Sequence, residues 1–437
     1  MTKSTPKLAT LALDRAVRVA MFALLFACLG AGATLAQTRA YVTNGNDNTV
    51  SVIDPVTNSV VATVPVGSAP NGVAVTPNGR FVYVANQLSN TISVISAASN
   101  TVVATVPGIT FPSAIAINPN GAFAYVAGSS SAGISVIDTA TNTVVSAIPA
   151  SFPFKIALAP SGNLGYVTHG AFINGVDVIN TATNTVVTNI PVPADVTLAA
   201  AVTPNGAFVY VTCLSFTTGS KLAVIDTATN TVVSIVPLPA TFAPGVTITP
   251  DGAFAYVANN GGGVCCVTPG PSSVSVIDTA SNTEIARVPV GSPTAIAVTP
   301  NGAFVYVTNI TNNSVLVMST ATNTLVNSVA VGNFAQAIAF GTFIPEPPPI
   351  DPIDALTDQV EALIAAGTLT QEQGAGLIDK INEISAKIDA GQTAAACNQL
   401  SSLINQVNGF IGNGTLTPAQ GQPLIELANE IKTDLGC

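Results

Sequence analysis

Tryptophan is absent, histidine occurs once, and only 8% of the residues carry charge, where about 25% is usual in a globular chain. Each shortage excludes something. A single histidine, His169, cannot build a paired-histidine metal site, and a general base needs an orienting partner that the sequence does not offer it. Twelve Lys and Arg stand against 22 Asp and Glu, for a net charge of -10, and no basic cluster occurs in the body of the chain. That excludes nucleic acid as a partner. No phosphate-binding loop and no helix with paired zinc ligands is present. NGNDNT at Asn44 lacks a glycine and a final glutamate at the spacing of a calcium loop. No metal and no cofactor is expected.

Long apolar runs are also missing, except at the start. Lys3, Lys7, Arg15 and Arg18 precede VAMFALLFACLGAGATLA, Val19 to Ala36, the layout of a secretory signal cut after ATLA. Residues 1–36 are therefore read as a leader, and the mature chain as lacking a membrane span. Two other readings stay open. The run is long enough to remain as an anchor, and LFAC ending at Cys28 resembles a lipoprotein site with a bulky Phe26. Each reading places the body outside the cytoplasm, extracellular, at the cell surface or in the periplasm.

What is abundant is Val, Ala, Thr, Asn, Gly and Pro, the composition of short strands and tight turns. One strand recurs seven times: YVTN at Tyr41, YVAN at Tyr83, YVAG at Tyr125, YVTH at Tyr166, YVTC at Tyr210, YVAN at Tyr256 and YVTN at Tyr306. The spacings are 42, 42, 41, 44, 46 and 50 residues, the period of a propeller blade. Each unit reads as four strands. The first two are joined by a turn such as TPNG, in which Pro77 presets its φ and Gly79 supplies a positive one. The last two are joined by a turn such as DTATNT, in which Asp138 caps the turn and Asn142 takes the left-handed conformation. The first copy lacks its leading strand, and FAQAIAFGTF, Phe334 to Phe343, supplies it from the other end. The fold expected is an all-β seven-bladed propeller over 37–343, with four-stranded blades and the C-terminal strand closing the ring.

These repeats resemble the YVTN family of β-propeller proteins, which includes archaeal surface-layer-like proteins and bacterial exported homologues. The resemblance implies the fold. Propellers host lactonases, dehydrogenase subunits, adhesins and scaffolds alike, so an activity must be argued from a site.

IPEPPPIDP, Ile344 to Pro352, is a stiff spacer, and 344–353 is read as a linker. After it, stripes such as Leu377, Ile381, Ile384 and Ile388 or Leu400, Leu403, Val407 and Ile411 predict a small all-α four-helix domain over 354–437. Two Gly-Thr-Leu-Thr turns, at Gly367 and Gly414, carry capping boxes from Thr370 to Gln373 and from Thr417 to Gln420. Cys397 and Cys437 are read as a disulfide tying down the last helix. The GxLTxxQ turns, AACNQLSSLINQV and the terminal LGC resemble the FIMAH-type domain of exported repeat proteins. That resemblance also implies the disulfide, and an accessory or docking role.

The candidate binding face carries the loops between second and third strands and the links between blades. It holds Phe111, Phe152, Phe154, His169 and Phe242, together with Val264, Cys265 and Cys266 in the longest irregular loop, NNGGGVCCVTPGPSS. The phenylalanines could equally pack between blades. A staple from Cys213 to Cys265 or Cys266 is expected, with a ring disulfide between the adjacent cysteines as the alternative. The resulting expectation is an exported, non-enzymatic propeller for recognition, adhesion or scaffolding, with a surface glycan or protein as partner. A propeller enzyme such as a lactone hydrolase would need acids such as Asp177, Asp195 and Glu284 to converge on one pocket. A structural surface-layer subunit would self-associate into arrays.

Overall fold

A computed structural model describes residues 36–128, 133–170, 173–239, 242–262, 270–343 and 352–437. Most of the expected leader and linker, and the stretch holding Val264, Cys265 and Cys266, lie outside the described residues. The chain divides into two units, a β-unit and a C-terminal helical one.

The β-unit consists of seven four-stranded antiparallel sheets. Six are consecutive stretches of chain. The seventh, blade I, joins Gln37–Asn44, Thr49–Asp54 and Ser59–Pro65 to the last strand, Ala335–Phe343. Gln37 pairs with Phe343 and Tyr41 with Ala339, so the two ends of the unit share one sheet. Numbering onward from blade I, the innermost strands are Ala335–Phe343, Pro70–Val75, Pro112–Ile117, Pro153–Leu158, Val196–Val202, Phe242–Ile248 and Pro293–Val298. Each packs on the innermost strand of the next blade, and the seventh packs on the first, which makes the ring. These innermost strands are enclosed by neighbouring blades yet keep half-exposed residues, such as Val73–Val75 and Phe154–Leu158. Water therefore reaches them along the axis.

The turns take the conformations that their residues favour. Gly79, Gly121, Gly162, Gly206, Gly252 and Gly302 of the first turns all have φ between 71° and 76°. Asn58, Asn100, Asn142, Asn184, Asn230, Asn282 and Asn323 of the second turns are all left-handed. The Asp138 carboxylate accepts from the N–H groups of Ala140 and Thr141 at 2.9 Å.

The repeated tyrosine is explained by the blade that follows it. All seven rings are buried. The Tyr83 hydroxyl donates to Asn142 Oδ1 at 2.6 Å, Tyr210 to Asn282 at 2.6 Å and Tyr256 to Asn323 at 3.1 Å. Tyr125 reaches the Thr181 carbonyl at 3.2 Å, beside Asn184, and Tyr306 reaches Asn58 in blade I. The left-handed turn of one blade is thus clasped by the tyrosine of the blade before it. Two junctions break the pattern: the oxygens of Tyr41 and Asn100 are buried without a partner, and so is Oδ1 of Asn230, the turn residue of the blade after Tyr166. Burial pushes the Tyr83, Tyr210, Tyr256 and Tyr306 phenols up to about 12.

Every outermost strand carries a bulge against its neighbour. The register skips one residue, which is Val61, Val103, Val145, Val187, Val233, Ile285 or Val326 in turn. These seven β-branched side chains are 48–59% exposed.

In the helical unit, α1 (Pro352–Ala365), α2 (Gln371–Asp389), α3 (Thr393–Gly412) and α4 (Pro418–Asp434) follow the predicted stripes. Leu356, Leu377, Ile381, Leu400, Leu403 and Leu424 form its core. Thr370 and Gln373 cap α2 reciprocally, and Gln420 reaches back to the Thr417 N–H at 3.0 Å. Cys397 and Cys437 are bonded, with Cα atoms 6.2 Å apart. Among the described residues no helix is long and apolar enough to cross a membrane.

Candidate functional site

Seven copies of one blade provide an internal standard: a residue that departs from its six counterparts is not needed by the fold. One position to compare is the last of YVTN, which is Asn in four blades, Gly128 in blade III, His169 in blade IV and Cys213 in blade V. In blades I and II it is a buried Asn whose amide donates to two hydroxyls seven residues or fewer downstream, Asn44 to Thr49 and Ser51, and Asn86 to Thr91 and Ser93. In blade VI, Asn259 bonds Ser275 at 2.7 Å. In blade IV the Asn is His169 and the serine position is Asp177.

His169 is buried at 1% exposure. Its Nδ1 lies 2.8 Å from the Ser151 carbonyl, and its Nε2 lies 3.2 Å from Asp177 Oδ2, off the line of a well-directed hydrogen bond. Asn189 donates to the other oxygen of Asp177 at 2.8 Å. Burial alone would lower the imidazole pKa, but the Asp177 carboxylate and the Ser151 carbonyl outweigh it and raise it above the ordinary 6.5. Burial likewise opposes ionisation of Asp177, yet His169 and Asn189 hold its pKa below the ordinary 3.8. An orienting partner therefore exists where the sequence offered none. Nδ1 is held by the backbone, while Nε2 faces Asp177 without a well-directed hydrogen bond, and the ring is closed off from solvent. The Asn–Ser pair is seven residues apart in blades I and II but sixteen in blade VI, and His169 and Asp177 are eight apart, so strand register is what aligns them.

The three acids that an enzyme would need together stand on three blades. Asp177 serves His169, Asp195 accepts from the Phe216 N–H at 2.7 Å, and Glu284 pairs with Arg287 on an outer strand. Cys213, at the YVTN position of blade V, is a free thiol. The expected staple to Cys265 or Cys266 is not formed. The Cys213 side chain points into the packing between blades IV and V, with Tyr166, Val176 and Val211, and its sulfur bonds the Lys221 carbonyl at 3.4 Å. Burial pushes this thiol up to about 11, so it stays protonated.

The phenylalanines separate into two groups. Phe154 and Phe242 are partly buried against Val196, Leu198 and Leu214, together with Phe216, so for them packing is the role observed. Phe111 and Phe152 are 44% exposed, and Phe334, missed in the sequence, is 37% exposed. All three precede an innermost strand and have positive φ, of 45°, 49° and 64°. Such a φ is strained for a bulky residue, at about 1–3 kcal/mol each. The blades hold them there. Asn90 Oδ1 accepts from the Phe111 N–H at 2.8 Å, and Asn313 Oδ1 from the Phe334 N–H at 3.0 Å. The Phe152 and Phe334 carbonyls accept from Gly170 and Gly45.

One further departure was invisible as a motif. The residue paired with the third letter of YVTN, or standing at that place within the register shift, is small on six innermost strands: Ala114, Ala199 and Gly245 in the first case, Gly72, Ala295 and Ala337 in the second. In blade IV it is Lys155, paired with Thr168. No other innermost strand carries a charged residue. The Lys155 ammonium stands 5.7 Å from the centre of the Phe154 ring and, among the described residues, meets no carboxylate. Burial pushes its pKa down to about 8.

Three clefts of about 470, 480 and 400 Å³ lie on the opposite face, lined by equivalent turn residues such as Thr249, Thr203 and Thr76. They repeat with the blades and mark no single site. Among the described residues no three His, Cys, Asp or Glu side chains converge as metal ligands would.

Residues 13–150 match the family model of YNCE-like β-propellers. A stretch of 37 residues is 62% identical to the PE-PGRS family protein PE_PGRS18 of Mycobacterium tuberculosis. That match covers 8% of this chain and 8% of that protein. Among solved structures, the chain is similar to a chain of the hydrazine synthase of Kuenenia stuttgartiensis, with a TM-score of 0.58 and 25% identity over 64% of this chain and 92% of that one. It is similar to a functionally unknown protein of Desulfotomaculum acetoxidans, with a TM-score of 0.58 and 18% identity over 70% of this chain and 99% of that one. It is also similar to the dihydro-heme d1 dehydrogenase NirN, with a TM-score of 0.52 and 14% identity over 70% and 75%. At these last two identities the likeness is one of fold. What the chain shares with all three structures is the β-propeller.

Proposed function

We propose that this is an exported, non-enzymatic propeller that recognises a surface glycan or protein through the face bearing the blade links. The observation that carries the reading is the set of exposed, left-handed phenylalanines, Phe111, Phe152 and Phe334. Bulky apolar side chains held in a strained backbone and half in water are unfavourable for stability, so a binding role accounts for them better than a packing role. Aromatic rings among amide and hydroxyl groups, such as those of Asn90, Asn313 and Ser89, suit a neutral polar partner with apolar faces. Export is supported by the charged-then-apolar start of the chain and by the Cys397–Cys437 disulfide. The YVTN and FIMAH-type resemblances agree with it. The burial of His169, with its ring between the Ser151 carbonyl and Asp177, supports the non-enzymatic reading.

The test is a glycan and cell-surface binding screen of the full chain beside a Phe111→Ser, Phe152→Ser, Phe334→Ser variant. Binding abolished in the variant supports the reading. Binding that the variant retains, or none by the parent, overturns it.

A further inference from the structure

The departures of blade IV from the other six place a cation where the fold asks for a methyl group or nothing. At the equivalent position of blade II, a Cβ on Gly72 would stand 2.8 Å from the Ala114 Cα of the next blade. A lysine stem at that place has less room than the small residue of the other blades, and its ammonium ends 5.7 Å from the Phe154 ring centre. Of the other propeller cations, Arg39 pairs with Asp54 at 3.3 Å and Arg287 with Glu284, while Lys221 stands on a third strand away from the axis. The Lys155 ammonium has neither a hydrogen bond nor an ion pair among the described residues. The charged groups on the elements around it are already engaged: His169 with Asp177, and Asp195 with the Phe216 backbone. A half-buried charge without a partner is unfavourable, and nothing in the ring requires it.

Beside this ammonium lies apolar surface. Phe154, whose ring faces the Lys155 Nζ, packs with Phe216 and Phe242 on Val196, Leu198 and Leu214. These side chains come from blades IV, V and VI and, among the described residues, form a patch found at no other blade junction. The three phenylalanines are only partly buried.

We propose that the Lys155–Phe154 corner of blade IV binds a carboxylate with an apolar tail, its carboxylate against the Lys155 ammonium and its tail on Phe154, Phe216 and Phe242. Cation and apolar wall together select this class: a bare anion leaves the aromatic patch in water, and an apolar ligand without charge leaves the ammonium unpaired. The site adjoins Phe152 of the link face, with Gly170 bonded to the Phe152 carbonyl and lying against the Phe154 ring, but it uses other side chains and is tested by other variants.

Calorimetric titration of the full chain with octanoate, acetate and octylammonium tests this directly. Octanoate is expected to bind, acetate at least tenfold more weakly, and octylammonium not measurably. Lys155→Met, which keeps the stem, should weaken octanoate tenfold or more, while Lys155→Arg should stay within about threefold of the parent. Affinity for octanoate should fall as pH rises past about 8, where the ammonium loses its proton. Near-ultraviolet circular dichroism verifies that both variants fold. No heat with octanoate, acetate binding as tightly as octanoate, octylammonium binding as well, or Met and Arg behaving alike would each overturn the proposal.

Discussion

Tyr306 of blade VII donates its phenolic hydrogen to Asn58 of blade I, 248 residues away in sequence. The bond crosses the seam at which the ring closes. The equivalent pair one junction further on, Tyr41 and Asn100, is buried but unbonded. The same two residue types in the same fold thus provide a bonded and an unbonded case.

Tyr306→Phe should therefore cost about 1–2 kcal/mol, because it removes a buried hydrogen bond and leaves Asn58 unpaired. Tyr41→Phe should be close to neutral. Midpoints of guanidinium unfolding, compared at equal slope, read the difference.

The His169–Asp177 pair predicts a pH dependence with a definite sign. The imidazole pKa is raised, so its contribution is full below 6.5 and is lost as pH rises through the higher folded value. The Asp177 pKa is lowered, so its contribution is present above 3.8 and is lost as pH falls through the lower folded value. The pair is strongest between these limits. Restoring the repeat with His169→Asn and Asp177→Ser should flatten the melting temperature across pH 6–8, which thermal scans in that range would measure.

Phe152→Gly should raise stability or leave it unchanged, because glycine takes a φ of 49° without strain. Relief of that strain should be worth of order 1 kcal/mol, offset in part by the apolar burial that the half-exposed ring still provides. A drop in melting temperature of several degrees would show that the ring packs in place rather than facing a partner.

The bond between Cys397 and Cys437 closes 40 residues, worth about 4 kcal/mol by the loop-entropy estimate. Cys397→Ser should lower the unfolding midpoint of the helical unit and leave that of the propeller where it was. Far-ultraviolet circular dichroism at the helical band, with and without reductant, distinguishes the two units.

Much of the ring was legible in the sequence because turns are local. Pro77 and Gly79, or Asp138 and Asn142, dictate their own backbone within a few residues. The closing strand was legible because a missing copy at one end matched a surplus at the other. The site was harder to read because its contacts are not local. Tyr83 meets Asn142, 59 residues on, across a blade boundary. His169 and Asp177 are near in sequence, but only strand register shows that they replace an Asn and its serine. Lys155 belongs to no motif; it becomes visible when seven innermost strands are aligned by their hydrogen bonds. Cys213 misled because its position suggested a loop partner, while its side chain turns into the core between blades.

The bulge on each outermost strand bears on how such a molecule survives at high concentration. A seven-bladed ring ends in seven unpaired strand edges, rich in Val and Thr and nearly free of charge, a composition prone to zipping edge to edge. The skipped residue, from Val61 to Val326, interrupts each edge at its middle. A strand from a second molecule meets a kink after a residue or two and cannot extend its ladder. Near-identical blades can then lie side by side at high concentration without templating a fibre, and they do so by backbone geometry in place of the lysines that other edge strands use.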